Sequence, residues 1–460
     1  MIASLDEVAV RTWAAVGGEA GDLAGLQLGG PRRVLPSCFD VTGFATAAVA
    51  AAHLGVARVV AARTGADAPA VAVGTREAGA AFVCERLLAP IGWEVPAIWD
   101  PIAGDYEAAD GWVKLHTNYV SHKAAATRAL GLSPDATRAD VAAAVAERTA
   151  DDVEQAVVDA GGCAAALRTR DAWSAHPHGA AVADEPAVRI AECPGRRPLA
   201  AVPAGGRPLT GVKVLDLTRV IAGPVCTRFL AAHGATVLRI DPPGFEEVGA
   251  LLPETTAGKR SAWLDLSAAS GRHRLLSLVA EADVVVHGLR PGAVERLGVG
   301  PDELRAANPA VITARLDAYG WQGPWADRRG FDSLVQMSCG IAAAGMAAGG
   351  TSRPTPLPAQ ALDHGAGHLL AGAVARVLAS GRPADVTASL VGVANLLLGL
   401  PDPDGMGAEE PAWTDDDREA RVTAWGPAEV APIPGRLAGW PLRLDALAGP
   451  LGRHQPTFAP

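Results

Sequence analysis

From Gly211 onward, short apolar runs alternate with helical stretches, and that order leaves few folds open. Residues 212–217 are apolar over a strand's length, stop at Thr218-Arg219, and pass through a Gly223-Pro224 turn into a helical stretch at 225–233. Gly234 follows as the residue that closes the helix in the left-handed region. Residues 236–240 read as the next strand, closed by Asp241-Pro242-Pro243-Gly244. Further strands are expected at 261–266, 283–287 and 310–316. Between them lie a helix at 269–282, with Leu275, Leu276, Leu278 and Val279 at helical spacing, and a short one at 303–308. Strands alternating with helices imply a parallel sheet covered on both faces, with right-handed crossovers. The expected fold is α/β, a Rossmann-like large domain over 209–400.

Residues 93–195 differ in pattern. Tyr106 to Leu115 suggests a hairpin turning at Asp110-Gly111, and Ala-rich helical stretches follow near 121–130 and 137–146. This is expected to be a smaller α+β domain, joined to the large domain by a Pro/Gly-rich linker at 196–208. Ser37 to Gly43 and Ala361 to Gly367 echo one another. Each has an Asp (Asp40, Asp363), then a Gly, then small apolar residues, and each is followed by a strand-like run, at 70–73 and 384–387. Residues 1–92 are therefore expected to resemble part of the large domain, as a partial duplication. Residues 401–460 comprise an acidic Pro/Gly-rich exposed loop, to about 421, and a return towards the large domain.

Composition removes several functions. Asp and Glu outnumber Lys and Arg by 50 to 40, a net charge of −10, which argues against nucleic acid as a partner. Six cysteines stand without CxxC spacing and are expected to be reduced thiols, not a zinc or redox motif. His176-Pro177-His178-Gly179 is read as a loop without metal partners, and no metal site is expected. The apolar run at 45–60, broken by His53 and Gly55, is short for a bilayer span. With no basic-then-apolar leader at the start, a cytoplasmic protein without a membrane partner is expected.

The first strand–turn–helix, Leu217-Thr218-Arg219-Val220-Ile221-Ala222-Gly223-Pro224, lacks G-x-G-x-x-G, so a dinucleotide cradle is not expected. Asp363, just ahead of an apolar helix at 366–378, reads locally as an N-cap. Arg239 stands near the second strand's end, and Ala222 opens a helix that can present N–H groups to a ligand.

The stretch from Val214 to Pro224 resembles the opening of the class III CoA-transferases (the CaiB/BaiF, or formyl-CoA transferase, family). The similarity continues in order through Gly258-Lys259-Arg260-Ser261, Leu264-Asp265-Leu266, Ala282 to Val286, Arg290-Pro291-Gly292, Leu297-Gly298, Gly320 to Pro324 and Arg329-Gly330-Phe331-Asp332. Gln336 and Gly340 follow, and Asp363 falls at the family's catalytic aspartate. Asp110-Gly111-Trp112, Gly161-Gly162 and His176-Pro177 resemble the family's small domain, which here precedes the large one; the domain order is rearranged.

The resemblance implies a transferase that moves coenzyme A from an acyl-CoA to a carboxylic acid, with CoA a substrate and no tightly bound cofactor. It implies a covalent link through Asp363 and phosphate contacts from Lys259, Arg260, Arg290 and Arg296. It implies a homodimer, with a hetero-complex the other arrangement. Gly349-Gly350 is one option for oxyanion donors. Racemases of the same fold resemble this chain but carry His at the position of Phe331, which can neither give nor take a proton. His364 reads as a surface or capping residue and Asp40 as an N-cap. A racemase, a lyase or hydrolase, and a non-catalytic CoA-binding subunit are the alternatives.

Overall fold

The computed structural model describes residues 4–245, 247–290, 292–401 and 412–459. Near the start, helix Leu5–Ala15 is capped by Ser4, whose side chain accepts from the Glu7 N–H. Strands β1 (Leu26–Gly29) and β2 (Val71–Gly74) pair in parallel around helix Val41–Thr64. Helix Thr75–Phe82 and the short β3 (Ala89–Pro90) complete this region. Helix Val41–Thr64 exceeds the 45–60 run expected from sequence and is long and apolar enough to cross a bilayer. In the protein, 89% of its most apolar stretch is buried. A helix apolar all round is a core helix when other helices enclose it.

The expected small domain holds an antiparallel sheet of β4 (Gly104–Ala108), β5 (Gly111–Leu115) and β6 (Ala164–Ala166). Its turn is Ala109-Asp110, one residue earlier than expected, because Gly111 already pairs with Ala108. Helices Val120–Ala129, Arg138–Ala146 and Ala150–Asp159 close its own core around Tyr106, Val113, Val141 and Val153. The expected boundary at 195 is cut across. Strand β7 (Val188–Glu192) pairs antiparallel with the last strand of the large sheet. His178 is also no loop residue: it sits in helix Pro177–Ala181, is buried, and bonds the Tyr319 carbonyl through Nε2 at 2.8 Å.

The large sheet adds β8 (Lys213–Leu217), β9 (Thr236–Asp241), β10 (Lys259–Trp263), β11 (Val284–His287), β12 (Ile312–Asp317) and β13 (Ala384–Ser389). Its order is β10-β9-β8-β11-β12-β13-β7, parallel except for β7 at the edge. The third strand starts two residues before expectation, since Lys259 pairs with Val237. The chain runs outward from β8 to β10, then returns to β11 on the other side of β8. Such a reversal opens a crevice at the carboxyl ends of the strands, where α/β sheets take their ligands.

Strands β14 (Glu419–Thr423), β15 (Gly426–Val430) and β16 (Arg436–Leu437) bind the tail back: β15 pairs with β14 and β3, and β16 with β2. Of the acidic loop expected at 401–421, residues 402–411 lie outside the described residues. The part that follows is anchored, with Asp417 paired to Arg76 at 2.5 Å. The final return docks on β10, where the His454 N–H donates to the Ser261 carbonyl at 2.8 Å.

The sequence echo has a structural counterpart. Val41–Thr64, β2 and Thr75–Phe82 form helix–strand–helix, as do Ala361–Ser380, β13 and Leu390–Leu398. Both long helices end on a left-handed glycine, Gly65 and Gly381. They cross at glycines: a Cβ on Gly55 would clash with the Gly372 carbonyl, and one on Gly372 would lie 2.7 Å from the Ala51 carbonyl.

Candidate active site

A cavity of about 430 Å³ opens at the crevice. Its floor is Leu217 at the end of β8, Gly288 after β11, Leu316 and Asp317 ending β12, and Leu390 after β13. Tyr119 and His122, from the Val120–Ala129 helix and its cap, roof it from the small domain. One wall is the turn Thr218 to Gly223, entering helix Ala222–Ala232. Val220 in this turn has φ +64°, the one non-glycine residue with positive φ among those described. A β-branched residue held there costs about 1–3 kcal/mol, strain that surrounding contacts must maintain. Glu247 maintains it, accepting from the Val220 N–H at 3.3 Å and from the Tyr119 hydroxyl at 2.7 Å.

Asp363 lines the cavity, and its helix begins earlier than expected. Helix Ala361–Ser380 has Gln360 as its N-cap residue, with no side-chain bond, and Asp363 lies within the first turn, not ahead of it. The cap comes from another element. Asp332, which opens helix Asp332–Ser338, accepts the Leu362 and Asp363 N–H groups on Oδ2 at 2.8 and 3.0 Å. Gln336 in turn donates to Asp332 Oδ1 and accepts the Leu357 N–H at 2.7 Å. Burial, then the nearby Asp332 and Glu85 carboxylates, pushes the Asp363 carboxyl well above the usual range. Burial pushes Asp332 up to about 6 despite its N–H donors. The helix N-terminus opposes these effects by favouring negative charge.

Asp40, by contrast, is the N-cap the sequence suggested: it accepts from the Gly43 N–H at 2.8 Å and pairs with Arg32 at 2.8 Å. His364 departs from expectation. It is 1% exposed and its Nε2 lies 3.2 Å from Glu85 Oε2. Cys84, Glu85 and His364 bring ligand atoms within 4.8 Å of one another, a grouping whose types could hold a metal. Arg228, 2.5 Å from Glu254 and within electrostatic reach of Cys84, supplies positive charge there.

The expected CoA contacts divide. Ala222 and Arg290 line the cavity. Arg239 and Lys259 do not: their side chains are fully buried beneath it. Arg239 clamps Asp241 at 2.8 Å and Glu247 at 2.9 Å, and Lys259 pairs with Asp216 at 3.0 Å and the Pro224 carbonyl at 3.0 Å. Both sit on strands whose two faces are covered, so their charges meet carboxylates instead of a ligand. Arg260 also points elsewhere, its Nε donating to the Thr457 carbonyl at 3.1 Å. Arg296 is exposed beyond the Gly292 turn, within electrostatic reach of Arg290 but outside the cavity wall. Gly349 and Gly350 are exposed at the end of helix Ile341–Gly349 and do not reach the cavity.

Arg219, Arg329, His122 and Asp317 also line the cavity and were given no role from sequence. Arg219 lies over the Phe245 ring, 3.7 Å from its centroid. Arg329 donates to the Gly161 carbonyl, and Arg290 forms no ion pair within 4 Å among the described residues. Burial, then Arg329 and Arg296, lowers the Arg290 pKa, with Asp327 among the groups opposing them. Phe331 stacks on His116, ring centroids 3.7 Å apart, and meets His122 edge-on. Burial, then Arg329 and Arg290, pushes His122 down to about 4, so it is neutral at pH 7. Burial pushes Asp317 up to about 7, aided by Glu185 and Asp327 and opposed by the Tyr319 and Gly320 N–H donors. A polar residue ending a parallel strand was the available signal for Asp317. For His122 there was none, because its helix lies in a different domain.

Residues 209–403 match the profile described as CoA-transferase family III. The chain is 37% identical over 191 residues to the probable fatty acyl-CoA transferase Rv3272 of Mycobacterium tuberculosis, covering 37% of this chain and 46% of that protein. It is 32% identical over 200 residues to the formyl-CoA:oxalate CoA-transferase of Escherichia coli O81, covering 40% and 47%. The matched stretch thus spans under half the length of these curated relatives. The crystal structure of Rv3272 aligns with a TM-score of 0.38 at 34% identity, covering 41% of this chain and 57% of that one. Over residues 209–403, this chain is thus similar to CoA-transferase family III.

Proposed function

We propose that this chain transfers coenzyme A from an acyl-CoA to a carboxylic acid, with Asp363 as the covalent carrier. The observation that carries the reading is the placement of Asp363: a carboxyl at a helix N-terminus, facing a cavity at the switch point of a parallel sheet. A carboxylate nucleophile suits a thioester, because it can be acylated and then released. In this scheme an Asp363 oxygen attacks the thioester carbonyl, the C–S bond breaks, and CoA leaves as its thiolate. The thiolate attacks the Asp363 carbonyl of the anhydride, freeing the first carboxylate and leaving an aspartyl-CoA thioester. The acceptor carboxylate repeats both steps in reverse. Arg290 and Arg329, with the N–H groups opening helix Ala222–Ala232, are suited to the CoA phosphates. Relatives bear names of formyl-CoA:oxalate and succinyl-CoA–D-citramalate CoA-transferases, which is consistent with a small-acid acceptor.

The test is intact-mass spectrometry after mixing the protein with acyl-CoAs and hydroxylamine, which traps an activated aspartyl group as its hydroxamate. A mass gain mapped to the Asp363 peptide, lost in Asp363→Asn, supports the scheme; no modification by any donor that binds removes it. Since the carboxylate is the nucleophile and its surroundings raise its pKa, transfer is expected to increase with pH on the acid side.

One observation favours a second reading. His122, neutral and in the same cavity as Asp363, supplies the base that Phe331 does not, which would permit proton exchange at the α-carbon. Deuterium uptake at that carbon in D₂O, lost in His122→Asn, would select it over transfer.

A further inference from the structure

Four donor residues meet outside the active-site cavity, where the N-terminal region packs on helix Ala361–Ser380. Cys84 and Glu85 open the short helix Cys84–Leu87, and His364 and His368 stand one turn apart on the long one. Residues four apart share a helix face. Both imidazoles stack on Phe82, with ring centroids 5.3 and 6.0 Å away. Cys84, His364 and His368 are buried and, with Arg228, line a cavity of about 30 Å³. That is room for one small ion or one water molecule. The Nδ1 atoms of His364 and His368 are buried without a hydrogen-bond partner among the described residues.

The distances between donors match a coordination sphere. Cys84 Sγ lies 3.6 Å from Glu85 Oε2, and His364 Nε2 lies 3.2 Å from the same oxygen. Around a tetrahedral Zn²⁺, with bonds of about 2.3 Å to sulfur and about 2.0–2.2 Å to nitrogen and oxygen, those edges are about 3.5–3.7 Å and about 3.3–3.5 Å. The third edge, sulfur to nitrogen, is within 4.8 Å. It closes to about 3.6 Å as the thiolate moves onto the ion.

We propose that Cys84, Glu85 and His364 bind a divalent cation of the Zn²⁺ class, with His368 the fourth donor from the same cavity. Thiolate, carboxylate and imidazole are the ligand types of a four-coordinate zinc site. Binding breaks the Cys84 S–H bond, and that proton leaves to solvent. The His364 proton shared with Glu85 moves from Nε2 to the unpartnered Nδ1. One thiolate and one carboxylate then balance the two charges of the ion. Arg228 is the rival cation beside Cys84, and Glu254, 2.5 Å away, meets its charge. A site closed by four protein donors is structural, not catalytic. It ties the N-terminal region to the first turns of the helix that carries Asp363, and it stands whether or not Asp363 is a covalent carrier. Sequence reasoning expected no metal, because Glu85 and His364 are 279 positions apart and Cys84 has no CxxC partner.

The experiment strips the tag-free full chain with a chelator and titrates it with Co²⁺, a coloured stand-in for Zn²⁺. One equivalent is expected to give a thiolate-to-metal charge-transfer band and the visible bands of a tetrahedral ion, both bleached by Zn²⁺. Cys84→Ser should abolish the charge-transfer band. His364→Gln should weaken Co²⁺ binding by more than about 100-fold, the upper end of what losing an outer-sphere partner costs. Cys38→Ser combined with Cys193→Ser, which removes the two less buried thiols, should leave the band in place. No thiolate band in the wild type overturns the inference. So does a band that survives Cys84→Ser, one that disappears with Cys38 and Cys193, or an affinity unchanged in His364→Gln. If Cys84→Ser does not fold, the wild-type titration and the Cys38, Cys193 double variant still decide.

Discussion

At the scale of single residues, burial decided what charge is for. Lys259 carries the family resemblance, and both it and Arg239 have the right chemistry for phosphate, yet both are spent on buried carboxylates. Lys259 is pushed down to about 8 by burial even with Asp216 beside it, while Lys259 and Arg239 hold Asp216 below the usual carboxylate range against its own burial. Removing one partner strands the other. Lys259→Met is expected to destabilise the protein by about 3–5 kcal/mol in chemical denaturation, and Asp216→Asn combined with Lys259→Met to recover much of that loss. Arg239 acts one step behind the cavity. It holds Glu247, which holds both the strained Val220 and the Tyr119 roof. Asp363 was legible from the resemblance, whereas Asp332 as its external cap was not, because the two lie in separate helices.

At the scale of elements, the strand–helix alternation was readable almost to the residue. A strand such as β11 is buried on both faces and must be apolar throughout, as Val284, Val285 and Val286 are. β7 was missed: Val188 to Glu192 is short and mixed, and its partner β13 lies nearly two hundred residues on. The crossing of helices Val41–Thr64 and Ala361–Ser380 depends on glycine for contact, not for conformation. In a mid-helix position alanine is ordinarily favoured by about 0.5–1 kcal/mol. Here Gly372→Ala must push apart two backbones, and a net loss of about 1–3 kcal/mol is expected in thermal unfolding. A gain instead would show that the helices separate freely.

At the scale of the molecule, the buried titratable groups set the response to pH. His53, His116, His122 and His287 are pushed from 6.5 down to about 4, 3, 4 and 4, chiefly by burial. A lowered histidine is neutral when folded, so the unfolded chain gains protons first. Its contribution is present above pH 6.5 and is lost as pH falls towards the folded value, by roughly 3–5 kcal/mol per group at most. Asp317 and Asp332 act in the opposite sense, contributing fully below pH 3.8 and losing that contribution as pH rises through about 7 and about 6. Four histidines outweigh two carboxyls between pH 6.5 and 4, so the melting temperature should drop across that window in calorimetry. His53 bonds the Pro434 carbonyl at 2.8 Å, tying the long N-terminal helix to the tail. His53→Asn should reduce the slope of that drop; an unchanged slope would assign the acid sensitivity elsewhere.

The sequence by itself determined the parallel sheet, the missing dinucleotide cradle and the aspartate at the head of an apolar helix. Each is written in local order: periodicity, turn residues and spacing within a few dozen positions. The tertiary structure decided the rest. It chose which cations face the cavity, set Asp332 against the N-terminus of the Asp363 helix, and brought His122 from another domain to the cavity that Asp363 and Asp317 line. Those outcomes depend on which surfaces exclude water from which side chains. Exclusion is a property of the packed chain, fixed by contacts between residues that sequence distance keeps apart.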